Sequence, residues 1–164
     1  MRKRGNAVLD SVLVLAVLAG FGIMAVMFTQ VLDEFNTDVQ SSDLDAEAKT
    51  FSNNVNTNFP TWMDYAFLLI VVLVWAGMLI LSFFLDTHPV FFILMGILLI
   101  VVVFAASAMQ DLYVEISGDA DFSSFAAQLP ITDFILSHFL IIMMVDAVSV
   151  IITLYAKQRQ GGGF

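Results

Sequence analysis

Two carboxyl groups, those of Asp10 and Asp146, interrupt stretches of the chain that are otherwise almost uncharged. A carboxyl group in apolar surroundings is costly, so it indicates either a proton or ion site or an internal hydrogen bond. At 100° per residue of an α-helix, four polar side chains fall within about 80° of one another. They form a candidate intramembrane polar face: His138, Asp146, Ser149 and Thr153.

This polar face has two interpretations. In the first interpretation, the face carries protons or ions, with Asp146 titrating and His138 as a relay. Alternatively, a neutral Asp146 makes a hydrogen bond that holds helices together. The sequence favours the hydrogen bond and leaves the proton path open.

The other candidate residues have simpler expected roles. Asp10 lies six residues after Arg4, near the inner end of its helix, and is expected to pair with the basic residues there or to cap locally. Ala16 and Gly20 are small residues four positions apart, a spacing that lets helix backbones approach closely. They are therefore candidates for helix packing, within the chain or between copies.

The composition is that of an integral membrane protein. Of the 164 residues, 60% are hydrophobic and 13% charged, and there is no cysteine; the mean hydropathy is +0.92. In soluble domains, by contrast, about half of the residues are apolar and about a quarter are charged. We find no phosphate-binding loop, dinucleotide fingerprint, zinc motif or serine nucleophile motif. The sequence therefore predicts no catalytic, cofactor or metal site, and an enzyme is not expected.

The elements that position these side chains are four apolar stretches in one membrane domain, residues 1–164. Each has 21 to 26 residues, roughly 31 to 39 Å of helix and enough to cross a bilayer. The predicted spans are residues 7–32, 62–85, 89–109 and 131–155. The predicted fold is therefore all-α and polytopic, with four transmembrane helices.

Polar connections separate these spans. Residues 33–61 and 110–130 are acidic, and residues 156–164 form a basic, glycine-rich tail. Pro60 and Pro130 suit the first turns of the second and fourth helices, and Thr61 and Asp64 have capping-box spacing. Residues 86–89 are so few that the second and third spans must form a hairpin.

The charges predict the orientation in the membrane. Five of the six basic residues lie near the ends of the chain, so the positive-inside rule places both termini on the cytoplasmic side. The two outer connections carry ten acids and one lysine. We expect the basic ends to contact anionic lipid headgroups, while nucleic acid stays an open alternative. The candidate headgroup contacts are Arg2, Lys3, Arg4, Lys157 and Arg159.

Two further features carry resemblances. Gly5 followed by Asp10 resembles a type IV prepilin signal, which implies cleavage after Gly5, although three more spans follow here than in a pilin. The whole architecture resembles the small multi-spanning membrane proteins of tailless, lipid-containing icosahedral bacteriophages, and also some phage holins. The resemblance to the bacteriophage membrane proteins implies a structural, multi-copy protein of a viral internal membrane or the host cytoplasmic membrane.

The predicted function is therefore non-enzymatic and structural. The protein is expected to contact the lipid bilayer, to associate with itself and to meet capsid or other membrane-complex proteins through its acidic connections. The alternatives are an oligomeric pore, holin-like or proton-conducting, that uses the polar face of the fourth span, and an accessory subunit of a larger membrane complex.

Overall fold

The structure, a computed structural model, describes the backbone of residues 7–84 and 89–161 and the side chains of residues 13–80, 82, 97 and 99–156. This part of the chain folds into helices without strands. In chain order the helices are α1 (Ala7–Ser41), α2 (Ala46–Phe84), α3 (Pro89–Gly118), α4 (Ser123–Ala126), α5 (Pro130–Ser137) and α6 (Phe139–Gly161). The predicted connection at residues 86–89 lies almost wholly outside the described residues.

Four of these helices are long and apolar enough to cross a membrane, as the sequence predicts. The qualifying segments are Leu13–Ser41, Ala46–Ile80, Leu99–Gly118 and Phe139–Ala156. Large apolar side chains are exposed along all four, among them Val17, Leu73, Phe104 and Ile152. Because lipid tails are apolar, such surfaces fit a bilayer rather than water. The chain is therefore an all-α protein with four candidate membrane spans.

The four long helices pack as a square. α1 packs against α2 and α3, and α6 packs against the same two helices, so α1 and α6 occupy opposite corners. The short helices α4 and α5 pack against α1 and α3 near one end. Aromatic rings join α1 to α2: Phe21 stacks on Phe67 with centroids 6.0 Å apart, and Phe28 meets Phe59 at 5.1 Å.

The expected start of a helix at Pro60 is wrong, because Pro60 lies inside α2. The acidic connection of residues 33–61 is itself helical, apart from the turn at residues 42–45. At 1.5 Å per residue, α1 and α2 are about 52 and 58 Å long, well over the roughly 30 Å thickness of a bilayer core. We call residues 33–60 the acidic hairpin, since these paired helix ends extend beyond an apolar core of that thickness.

Polar side chains hold the acidic hairpin together. Ser52 donates a hydrogen bond to Asn36 Oδ1 at 2.9 Å, and Asn56 donates to Asp33 Oδ1 at 3.0 Å. Gln40 Nε2 donates to the carbonyl oxygen of Lys49 at 2.8 Å. These bonds run across the two helices, so the asparagine-rich segment forms one side of a helix pair rather than a loop.

The other predicted boundaries are confirmed in one case and corrected in two. Pro130 occupies the first turn of α5, as expected. The third helix does not end at residue 109 but continues to Gly118, and residues 156–161 of the predicted tail continue α6. The fourth crossing is divided into α5 and α6, which meet at His138.

One glycine brings α1 and α5 together, and it is not the one predicted. A Cβ atom on Gly22 would collide with the Leu136 side chain and lie 3.3 Å from Thr132 Cγ2. Gly20 has open space around its Cα hydrogen, and Ala16 is exposed. Gly22 therefore serves packing within the chain, whereas the Ala16 and Gly20 face points outward.

We expect Gly22→Val to lower the free energy of unfolding by about 1–3 kcal/mol, the usual cost of overpacking a filled core. Gly77→Val in α2 is the matched control and should change this free energy by less than about 0.5 kcal/mol, because no atom lies within 4 Å of a Cβ built on Gly77. Denaturant titration of both variants in detergent, followed by circular dichroism, measures the difference. Equal effects of the two substitutions would contradict the assigned packing.

Candidate functional site

Three residues of the predicted polar face, Asp146, Ser149 and Thr153, lie on α6, whereas the fourth, His138, lies outside that helix. His138 lies at the joint between α5 and α6 with φ −116° and ψ 23°, and its side chain is exposed. The imidazole stacks on the Phe134 ring at 4.7 Å, and its Nδ1 lies 2.9 Å from the Phe134 carbonyl oxygen. Because the helix is interrupted at His138, this residue does not continue the helical phase of Asp146.

Ser149 and Thr153 use their hydroxyl groups within α6. Ser149 Oγ donates to the carbonyl oxygen of Val145 at 2.7 Å, and Thr153 Oγ1 donates to that of Ser149 at 2.9 Å. Such bonds satisfy a hydroxyl group on its own helix and leave it without a free proton to pass on. The proton relay that the spacing allowed is therefore not formed by the described side chains.

Asp146 lies on the same helix, three residues before Ser149 and seven before Thr153, and it faces an apolar cavity. The cavity has a volume of about 270 Å³ and is lined by residues of α1, α2 and α6. Asp146 Oδ1 is buried and has no hydrogen-bond partner among the described residues. The interhelical hydrogen bond expected from this oxygen is absent from that part of the chain.

The carboxyl group that does join helices is Asp64 of α2. Asp64 Oδ2 accepts the backbone N–H of Ile131 at 2.9 Å, and Oδ1 accepts that of Thr132 at 2.6 Å. Pro130 has no N–H, and the N–H of Asp133 donates to the Leu129 carbonyl oxygen at 2.8 Å. Every backbone N–H group of the first turn of α5 is therefore accounted for, whereas the hydroxyl group of Thr132 is buried without a partner among the described residues.

This cap comes from a distant part of the chain because the local sequence cannot provide it. The residue before the helix is Leu129, whose side chain has no acceptor. Asp64 has only 4% of its surface exposed, and its negative charge at a helix N-terminus is favoured by the helix dipole. The cap thus fixes α2 against α5 at a buried position.

A second side chain from a neighbouring helix accepts a hydrogen bond from a backbone N–H group at the start of α6. The N–H of Leu140 donates to Gln110 Oε1 of α3 at 3.0 Å, in place of the Leu136 carbonyl oxygen that a continuous helix would use. A side chain inserted into the helical hydrogen-bond ladder is a recognised cause of a helix break. Gln110 therefore accepts a hydrogen bond next to the break at His138, and this bond holds α3 against the start of α6.

A third contact completes this polar cluster. Tyr113 of α3 is fully buried, and its hydroxyl group donates to Asp133 Oδ1 at 3.1 Å. Ser137 Oγ lies 3.4 Å from the same oxygen. In the described part of the chain, no group of three or more His, Asp or Glu side chains is placed to hold a metal ion. These contacts are hydrogen bonds between helices, and we call Asp64, Gln110, Tyr113 and Asp133 the capping cluster.

The sequence contained only a partial signal for this cluster. Asp64 stands near the start of an apolar run, but its spacing from Thr61 suggested a cap on its own helix. Gln110 and Tyr113 were assigned to a connection outside the membrane. Of the other candidates, the side chains of Asp10 and of the five basic residues near the chain ends lie outside the described side chains.

No protein-family model, curated protein or solved structure matches this chain.

Removing the Asp64 carboxyl group tests the capping cluster. Asp64→Ala leaves the buried N–H group of Thr132 and the part-buried N–H group of Ile131 without acceptors, and an unsatisfied buried group costs about 1–3 kcal/mol. We expect a total loss of roughly 2–4 kcal/mol in the free energy of unfolding, measured by denaturant titration in detergent. Asp38→Ala is the control, because Asp38 is exposed and accepts a side-chain hydrogen bond only through its backbone carbonyl. A loss no larger than that of the control would contradict the cap.

Proposed function

We propose that this chain is a non-enzymatic structural protein of a membrane, present in many copies, that displays the acidic hairpin on one face of the bilayer. The setting that its architecture favours is the internal membrane of an icosahedral bacteriophage or the host membrane from which it forms. The observation that carries the proposal is the acidic hairpin, an ordered pair of helices built as a continuation of two membrane spans.

The acidic hairpin has the properties of a contact surface. It carries six acidic residues and only Lys49 against them. Five of the six are exposed, namely Glu34, Asp38, Asp43, Asp45 and Glu47. Because its helices are hydrogen-bonded to each other, the acidic side chains stand on a preordered scaffold, and preordering lowers the entropic cost of binding. A positively charged protein surface, such as a capsid lining, is the partner that fits this charge.

The use of polar groups inside the bundle also supports a structural role over a pore. The capping cluster, Ser149 and Thr153 direct their donors and acceptors at neighbouring backbone or at each other. His138 and Asp146 are held apart, and the cavity at Asp146 is apolar. A conducting path needs polar groups that follow one another across the membrane, and the described side chains do not form that series.

Self-association is assigned to the outward face of α1. Ala16 is exposed and Gly20 has open space, so a second helix has room to approach the α1 backbone closely there. Within the membrane, close approach of small residues is a main source of helix association. This face is not used by the packing of the described helices, and we assign it to another copy of the chain.

Cross-linking of single-cysteine variants tests this assignment, because the chain has no cysteine of its own. Ala16→Cys should form a disulfide-linked dimer on oxidation in proteoliposomes, and its yield should persist as lipid is added in excess. Ala19→Cys is the matched control, three positions away and 0% exposed, and should stay monomeric.

Dimer yields that are equal for the two variants, or that fall to zero in proportion to lipid dilution, would contradict the proposed association. A persistent dimer of Ala16→Cys alone would support a protein that works in multiple copies.

A further inference from the structure

The cavity at Asp146 has the composition of a small ligand site. Among the residues whose side chains are described, twelve hydrophobic residues and a single carboxyl group line it. Representative lining residues are Val14 and Leu18 of α1, Val71 and Trp75 of α2, and Ile142 and Asp146 of α6. Since α1 and α6 occupy opposite corners of the bundle, the cavity lies where the square of helices is not filled by side chains.

The cavity is accessible from the side of the bundle. Val72, Trp75 and Val145 line it, and 46%, 44% and 58% of their respective surfaces are exposed. They belong to α2 and α6, the adjacent helices on that side. A molecule dissolved in the bilayer could therefore enter between these helices without passing through water.

Among the described side chains, the lining is a poor site for water. A buried water needs two to four polar partners, whereas in this part of the chain Asp146 supplies the one carboxyl group of the lining. A hydrocarbon chain would fill the volume and leave Asp146 Oδ1 without a donor. Leaving a buried acceptor unsatisfied is costly, so the lining favours an apolar body that carries one donor.

We propose that this cavity binds a compact, neutral, membrane-soluble hydroxyl compound, whose O–H group donates to Asp146 Oδ1 and whose apolar body fills the remainder. An engineered cavity of about 150 Å³ holds benzene. In proportion, a cavity of about 270 Å³ holds roughly eleven non-hydrogen atoms. A neutral hydroxyl group suits the site better than an ammonium group, which is costly to bring into the membrane interior.

Trp75 provides a reporter for this binding. The chain has two tryptophans, and Trp62→Phe leaves Trp75 as the single one. The probes are 4-bromophenol and 4-bromotoluene, which have the same number of non-hydrogen atoms and differ in a hydroxyl or methyl group. Bromine quenches tryptophan emission on close contact, so quenching of the full-length chain in lipid nanodiscs reports occupancy next to Trp75.

We expect saturable quenching by 4-bromophenol at roughly tenfold lower concentration in the bilayer than by 4-bromotoluene, the advantage of a hydrogen bond to an otherwise unsatisfied acceptor. Asp146→Asn should keep this preference, because its side chain still has a carbonyl oxygen. Asp146→Leu should abolish it. Comparing the two probes with Asp146 intact tests the proposal without any substitution at the carboxyl group.

Filling the cavity separates binding from general partition into the bilayer. Val71→Phe should remove saturable quenching by both probes. Val148→Phe, on an exposed α6 position outside the lining, should leave it unchanged. Equal saturation by the two probes, or quenching that rises linearly and is the same in Val71→Phe, would overturn the proposal. This experiment does not depend on self-association, so either proposal can fail while the other stands.

Discussion

The fold depends on one constraint, that buried backbone N–H groups find acceptors inside the protein. Two helix starts have no acceptor in the residues just before them, because α5 starts after a leucine and α6 starts after an interrupted turn. Asp64 of α2 and Gln110 of α3 supply the missing acceptors at these two helix starts. The interruption therefore binds its neighbours to the fourth crossing, and the absence of a Cβ on Gly22 lets α1 pack against the same region.

The acidic side chains of this weakly charged chain fall into groups with different surroundings. Asp64 and Asp133 are consumed as hydrogen-bond acceptors inside the bundle, and the acids of the acidic hairpin are placed at its exposed surface. Asp146 belongs to neither group, since it lines an apolar cavity and its Oδ1 has no partner among the described residues. The division separates a polar cluster that holds helices together, an exposed acidic surface, and one carboxyl group that lines an apolar cavity.

Much of the architecture could be predicted from the sequence, because length and hydropathy define membrane helices almost alone. The four spans follow from that signal, and the helix start at Pro130 follows from the preference of proline for the first turn of a helix. The prediction of a helix start at Pro60 is wrong. A proline at a polar boundary normally begins a helix, whereas here the residues before Pro60 are helical and pair with α1 through Asn36 and Asp33. No proline or glycine marks the break at His138 in the sequence, and the break coincides with a hydrogen bond that the N–H of Leu140 donates to Gln110, 30 positions before Leu140. Contacts of this kind are tertiary, so helical periodicity could not reveal them.

The central claim is that the polar groups of the bundle serve the fold and a contact surface rather than a transport path. Flux through the purified protein in sealed liposomes tests it most directly, with a proton-sensitive dye and a larger dye enclosed together. The account predicts that vesicles with the protein retain both dyes as well as protein-free vesicles do, and that Asp146→Asn changes nothing. A proton leak that Asp146→Asn abolishes, or escape of the larger dye, would contradict it.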